Sequence, residues 1–150
     1  MKKPPDIQKL EAILRASKIS AEGFLGSDNR SLEEIIGSDL AELAKTDYSL
    51  KQIAEKMRQI TALASEALGN WADIDDIRQA KVDEAKGNIP CPWPHFYHCP
   101  KRVTTLENKQ TSVRINWSDL NIHLIEEHGF FEGKGSPFRL EPKELIEMLF

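Results

Sequence analysis

The chain has 150 residues, of which 40% are hydrophobic and 29% charged, with a net charge of −4 and a pI near 5.6. That composition suits an ordinary globular fold whose core needs no disulfide staples. Neither half is basic, so bulk charge lends no support to binding nucleic acid through phosphates. No run approaches the roughly 18 uninterrupted apolar residues of a membrane span.

The start, MKKPPDIQKL, is basic but lacks the apolar stretch of a signal peptide, which makes the cytoplasm the expected location. In a reducing compartment Cys91 and Cys99 are expected to stay unpaired, and two nearby thiols then point to metal or redox chemistry. Pro4-Pro5-Asp6 reads as a helix start with Asp6 able to cap. Ile7, Leu10, Ile13 and Leu14 follow at helical spacing. Phe24 and Leu25, flanked by Gly23 and Gly26, are expected to plug into the core, and residues 26–30 carry turn chemistry. Ser31-Leu32-Glu33-Glu34 has the form of a capping box, followed by Leu32, Ile35, Ile36, Leu40 and Leu43 on one helical face, with Gly37-Ser38 a candidate kink.

Residues 49–69 open with SLKQIAEKM, which resembles the first helix of a helix-turn-helix DNA binder. The turn glycine of that motif is absent, because Arg58 stands four residues after Ala54. The apolar series Leu50, Ile53, Ala54, Met57, Ile60, Ala64, Leu68 also runs through without a break. One helix closed by Gly69 is therefore the expectation. The first half reads as a small antiparallel helical bundle with no evident chemistry.

Trp71–Asp76 is expected to be a short connector, and a short strand is expected around Lys81–Ala85. Residues 101–117 favour a β-hairpin turning at Glu107–Gln110. Ser118 then caps a helix over SDLNIHLIEEH, with Leu120, Leu124 and Ile125 inward and Gly129 at its end. An irregular loop, HGFFEGKGSPFRL, leads to a last helix opened by Glu141-Pro142, with Leu145, Ile146, Leu149 and Phe150 on its docking face. The fold class is α+β. A helical bundle over 1–75 precedes an α+β module over 76–150, with a ββα-like hairpin and helix and a C-terminal helix; the two can also form one continuous domain.

Both cysteines and all four histidines lie between 91 and 128. Zinc explains such clustering, because it takes four thiolate and imidazole donors in a tetrahedron. Two quartets are open: Cys91, Cys99, His123 and His128, or Cys91, His95, His123 and His128. The second uses a Cys-x3-His spacing that fits one loop, stiffened by Pro92 and Pro94. On a regular helix, residues five apart diverge by about 140°, so His123 and His128 would share an ion only if the last turn loosens. A metal-free alternative makes Trp93, Phe96, Tyr97 and Trp117 an aromatic core with buried free thiols. Another makes Cys91 a nucleophilic or redox thiol beside His95.

Residues 91–128 resemble the ββα two-Cys, two-His zinc finger in order, loop then hairpin then helix. The Cys–Cys and Cys–His spacings are longer than that pattern has, while the His-x4-His spacing of His123 and His128 falls within it. IPCPWPH at 89–95 and WSDLNIHLIEEHGFFEGKGSPFRLEP at 117–142 resemble small prokaryotic cytosolic proteins of no assigned activity, which implies only the compartment. In the loop after His128, glycines at 129, 133 and 135 with Lys134, Ser136 and Arg139 form a candidate anion site, distinct from a P-loop.

The expected function is a zinc-stabilised cytoplasmic binding or regulatory protein of unknown partner. One alternative is a metal-dependent enzyme acting on a small anion near 128–139, with Glu126, Glu127 or Glu132 as base; its catalytic residues are otherwise unknown. Another is a structural, oligomeric protein without metal. No membrane partner is expected, and self-association and nucleic acid remain open.

Overall fold

The computed structural model describes residues 5–16 and 23–150. Among them the chain forms α1 (Pro5–Ala16), α2 (Leu32–Ala44), α3 (Leu50–Ser65), β1 (Ala72–Asp73), β2 (Arg78–Pro90), β3 (His98–Asn108), β4 (Arg114–Ser118), α4 (Asp119–His128) and α5 (Pro142–Leu149). The strands make one antiparallel sheet in the order β1-β2-β3-β4. The fold is α+β, and no described helix is long and apolar enough to cross a membrane.

The helix boundaries follow local chemistry. Pro5 opens α1, and Asp6 lies inside its first turn rather than before it. Ser31 caps α2 by accepting from the Glu34 amide, but the Glu34 carboxylate takes the Ser31 hydroxyl proton instead of reaching the backbone. Full capping boxes occur at Ser49 with Gln52 and at Ser118 with Asn121. α3 is unbroken and buries Ile53, Ala54, Met57, Ile60 and Ala64, the pattern of one core helix. It ends at Ser65, earlier than expected, and the chain then turns through Leu68 and Gly69, both at positive φ.

The largest departure from expectation is β2. It runs for 13 residues and pairs with β3 along most of its length, where the sequence suggests only a short strand. Ala80 and Val82 face inward opposite Leu106 and Thr104, but Asp83–Asn88 is exposed throughout. A strand exposed on both faces carries no apolar alternation to read. The pairing shifts between Ala85 and Asn88, where Gly87 adopts φ +99 in a bulge. The expected hairpin around 101–117 is β3–β4, with Leu106 opposite Ile115 and Thr104 opposite Trp117.

Two apolar clusters fill the interior. One joins α3, α5 and the inner sheet face around Trp117, whose Nε1 donates to Thr61 Oγ1 at 3.0 Å. The other joins α1, Phe24, Leu25 and α2 to Cys91, Cys99, Leu120, Leu124 and Phe130. Residues on both sides of Asp75 enter each cluster. α4 lies between them, giving Ile122 and Ile125 to the first and Leu120 and Leu124 to the second. It is thus buried around most of its circumference, and the αL residue Gly129 (φ +61) ends it.

The loop after α4 is anchored by burial and charge. Phe130 and Phe131 are fully buried, and a Cβ on Gly133 would sit 2.3 Å from the Leu25 carbonyl oxygen. Arg139 forms an ion pair with Asp39 of α2, their side chains only 7% and 4% exposed, and it also donates to the Glu132 carbonyl. Removing one partner of a buried pair strands the other charge. Arg139 keeps a second carboxylate, Glu141 at 3.0 Å, so Asp39→Asn is expected to cost less than full stranding, about 1–3 kcal/mol of unfolding free energy, read as a shifted denaturant midpoint at unchanged slope.

Candidate metal centre

The segment Cys91–Tyr97 is the tip of the β2–β3 hairpin. The Cys91 amide donates to the Tyr97 carbonyl at 2.9 Å, and the His95 amide to the Trp93 carbonyl at 2.7 Å. These bonds and the rings of Pro92 and Pro94 curl the tip so that Cys91 and His95 turn toward α4. α4 offers His123 from its buried middle and His128 from its last residue.

Four donor atoms meet there, one each from Cys91, His95, His123 and His128, all within 4.8 Å of one another. His95 Nε2 stands 3.1 Å from Cys91 Sγ, 3.1 Å from His128 Nε2 and 3.3 Å from His123 Nε2. Cys91 Sγ stands 3.6 Å from His128 Nε2. Tetrahedral zinc with its usual bond lengths separates two nitrogens by about 3.3 Å and a nitrogen from a sulfur by about 3.6 Å. The cluster therefore has the dimensions of a single coordination sphere and could hold a metal ion.

α4 remains helical through His128, so convergence does not come from a loosened last turn. The tip achieves it. His95 enters between the two helix imidazoles, and an aromatic ring of the tip covers each of them. Tyr97 stacks on His123 at 3.7 Å and 5°, and Trp93 stacks on His128 at 4.1 Å and 10°. Both rings are held edge-on to the cluster with Nε2 inward. The role of Trp93 and Tyr97 is not evident from ligand spacing. A signal was present all the same: at every second position from Cys91 to Tyr97 a donor alternates with an aromatic residue, Cys91, Trp93, His95 and Tyr97.

Burial adjusts the donors. His128 is pushed down to about 4, by burial first and then by His123 and His95. His123 is lowered by burial and by His95. Both are neutral at pH 7 and carry a free lone pair, as a ligand requires. Burial raises the Cys91 thiol, which stays protonated until a cation displaces its proton.

Cys99 lies outside the cluster. It is 3% exposed, its Sγ faces the Ile89 carbonyl at 3.6 Å, and burial pushes its thiol up to about 11. His98 is exposed beside the ring of Phe96. The loop residues singled out for anion binding also lie apart. Ser136 Oγ donates to Glu132 at 2.5 Å, Arg139 is shared between Asp39 and Glu141, and the Lys134 amide donates to Asp28. The Ser136 hydroxyl, the Arg139 guanidinium and the Lys134 amide thus meet the chain's own carboxylates, while the Lys134 side chain stays exposed. Glu126 pairs with Arg58, and Glu132 is buried under Asn121 and Ser136, its carboxyl raised by burial. A cavity of ≈ 650 Å³ opens beside the cluster, lined by His123, Tyr97, Arg58, Arg102 and Asp119 among others.

No protein-family model matches the chain, and no curated protein or solved structure matches it significantly.

The histidine shift has a thermodynamic consequence. The unfolded chain protonates His128 near its ordinary value of 6.5, whereas the folded chain waits until about 4. Between those values the unfolded state binds more protons, so stability falls as the pH is lowered. Metal-stripped protein is expected to lose melting temperature steadily from pH 7 to pH 4.5, and His128→Gln to flatten that slope. Equal slopes in thermal melts of the two proteins would rule this cause out.

Proposed function

We propose that Cys91, His95, His123 and His128 hold one zinc ion, and that the ion pins the β2–β3 tip to α4 in a cytoplasmic binding or regulatory protein. The observation that carries this reading is the set of 3.1–3.6 Å separations among donors from two elements far apart in sequence. One soft thiolate with three imidazoles suits zinc, whereas calcium and magnesium ask for oxygen ligands. Four protein donors close a tetrahedron and leave no position for water, which makes the metal's role structural. The ion would hold the β2–β3 tip against α4 and fix a tip that carries Phe96 outward, 95% exposed.

Elemental analysis of the purified protein is expected to find about one zinc per chain. Cys91→Ala and His123→Ala are expected to lose it, and Cys99→Ala to keep it. Zinc in a hundredfold excess over its dissociation constant should raise the melting temperature of the stripped protein by about 5–10 °C. Full occupancy in Cys91→Ala, or a loss in Cys99→Ala equal to that in Cys91→Ala, would refute this ligand set.

A metal-dependent enzyme is the second reading, and one arrangement favours it. His95 is the exposed ligand, and His123 borders the ≈ 650 Å³ cavity, so departure of His95 would open a coordination position beside space for a small molecule. Cobalt-substituted protein titrated with imidazole separates the two. A visible spectrum that does not change marks a closed structural site, and a saturable change marks an open one.

A further inference from the structure

We propose that Cys99 is the resolving thiol for Cys91, so that oxidation joins the two as a disulfide and expels the metal. This rests on the metal-centre reading above and assigns that site a regulation.

The two cysteines are the only ones in the chain, and both are buried and free. Ile89 lies opposite Cys99 in the β2–β3 register, and the Cys91 amide donates to Tyr97, so the pairing continues into the mouth of the tip. Side chains at 89 and 91 then share a face with those at 97 and 99. Both cysteines accordingly enter the same apolar cluster, with Leu120, Leu124 and Phe130. Cys91 and Cys99 are diagonal neighbours across the hairpin, a placement with Cα atoms about 7–8 Å apart. A disulfide accepts up to about 6.8 Å. Cys91 Sγ turns toward His95 and His128, whereas Cys99 Sγ faces the Ile89 carbonyl, and an ion bound in the cluster would hold the sulfurs apart. Once Cys91 leaves the ion, closing the bridge needs only a small movement of a tip tied across its mouth by the Cys91–Tyr97 bond.

Metal binding keeps Cys91 as a thiolate, the form that a peroxide attacks. The thiolate displaces hydroxide from hydrogen peroxide and becomes a sulfenic acid, losing two electrons to the peroxide. A sulfenic sulfur is no longer a thiolate donor, and the metal departs. The Cys99 sulfur then attacks the Cys91 sulfur, the S–O bond breaks, and the Cys99 proton leaves with the oxygen as water. The sum is one thiolate, one thiol and one peroxide going to a disulfide, one hydroxide and one water. A thiol reductant reverses it and restores the site.

The experiment treats zinc-loaded full-length protein with stoichiometric hydrogen peroxide, following zinc with a chromogenic chelator and the intact mass by spectrometry. The expected result is release of the bound zinc with a mass loss of two hydrogens and no dimer. Dithiothreitol and added zinc then restore occupancy. In a severalfold excess of hydrogen peroxide the wild type is protected by its disulfide and still recovers zinc on reduction. Cys99→Ala, or Cys99→Ser should the alanine variant fold poorly, lacks the resolving thiol. It is expected to pass beyond the sulfenic acid to the sulfinic acid, which dithiothreitol does not reduce, and so to recover no zinc. Two results overturn the inference alone: zinc release from the wild type without an internal disulfide, or reversible release from the Cys99 variants matching the wild type. A protein that never holds zinc overturns the metal centre and this inference together.

Discussion

The burial of α4 between two apolar clusters is the constraint on which the rest depends. A helix gripped on one face can roll; α4 gives Ile122 and Ile125 to one cluster and Leu120 and Leu124 to the other, and cannot. Its capping box at Ser118 and αL cap at Gly129 define both ends. His123 and His128 therefore stand at determined places before any metal is considered. The loop that follows is held down by Phe130, Phe131 and the Arg139–Asp39 pair, which gives the second cluster a closed floor.

The hairpin tip completes the centre against that fixed helix. Its hydrogen bonds are few, and its seating comes largely from two ring stacks, Trp93 on His128 and Tyr97 on His123. Each stack covers one imidazole face, and burial together with His123 and His95 depresses the basicity of His128, so the rings arrive neutral and oriented. The energetic cost of gathering four donors is met within the fold, and a cation entering the cluster has little left to organise. Such preorganisation favours tight binding, since less conformational entropy is lost when the ligand arrives.

Ordering by charge shaped the neighbouring loop differently. Lys134, Ser136 and Arg139 look in sequence like an anion cradle. The fold turns two of these side chains toward carboxylates of the protein, the Ser136 hydroxyl to Glu132 and the Arg139 guanidinium to Asp39; Asp28 takes the Lys134 amide, and the Lys134 side chain stays exposed. The Ser136 and Arg139 donors thus serve to close the structure. Sequence spacing cannot separate these outcomes, because Asp28 and Asp39 lie about a hundred positions away.

By itself the sequence carried what depends on near neighbours: the helices with their serine caps, the β3–β4 hairpin, the uninterrupted α3, and the gathering of cysteine and histidine into one quarter of the chain. Helical periodicity and capping act over a few residues, so they are written locally. Tertiary structure alone decided the length of β2, whose exposed outer half has no apolar rhythm, and the separation of Cys91 from Cys99, which depends on register across a hairpin. It also decided that two histidines five apart on a regular helix could meet. Helix geometry points them away from each other, and only a third imidazole and two stacked aromatic rings from a distant loop bring their nitrogens to one point.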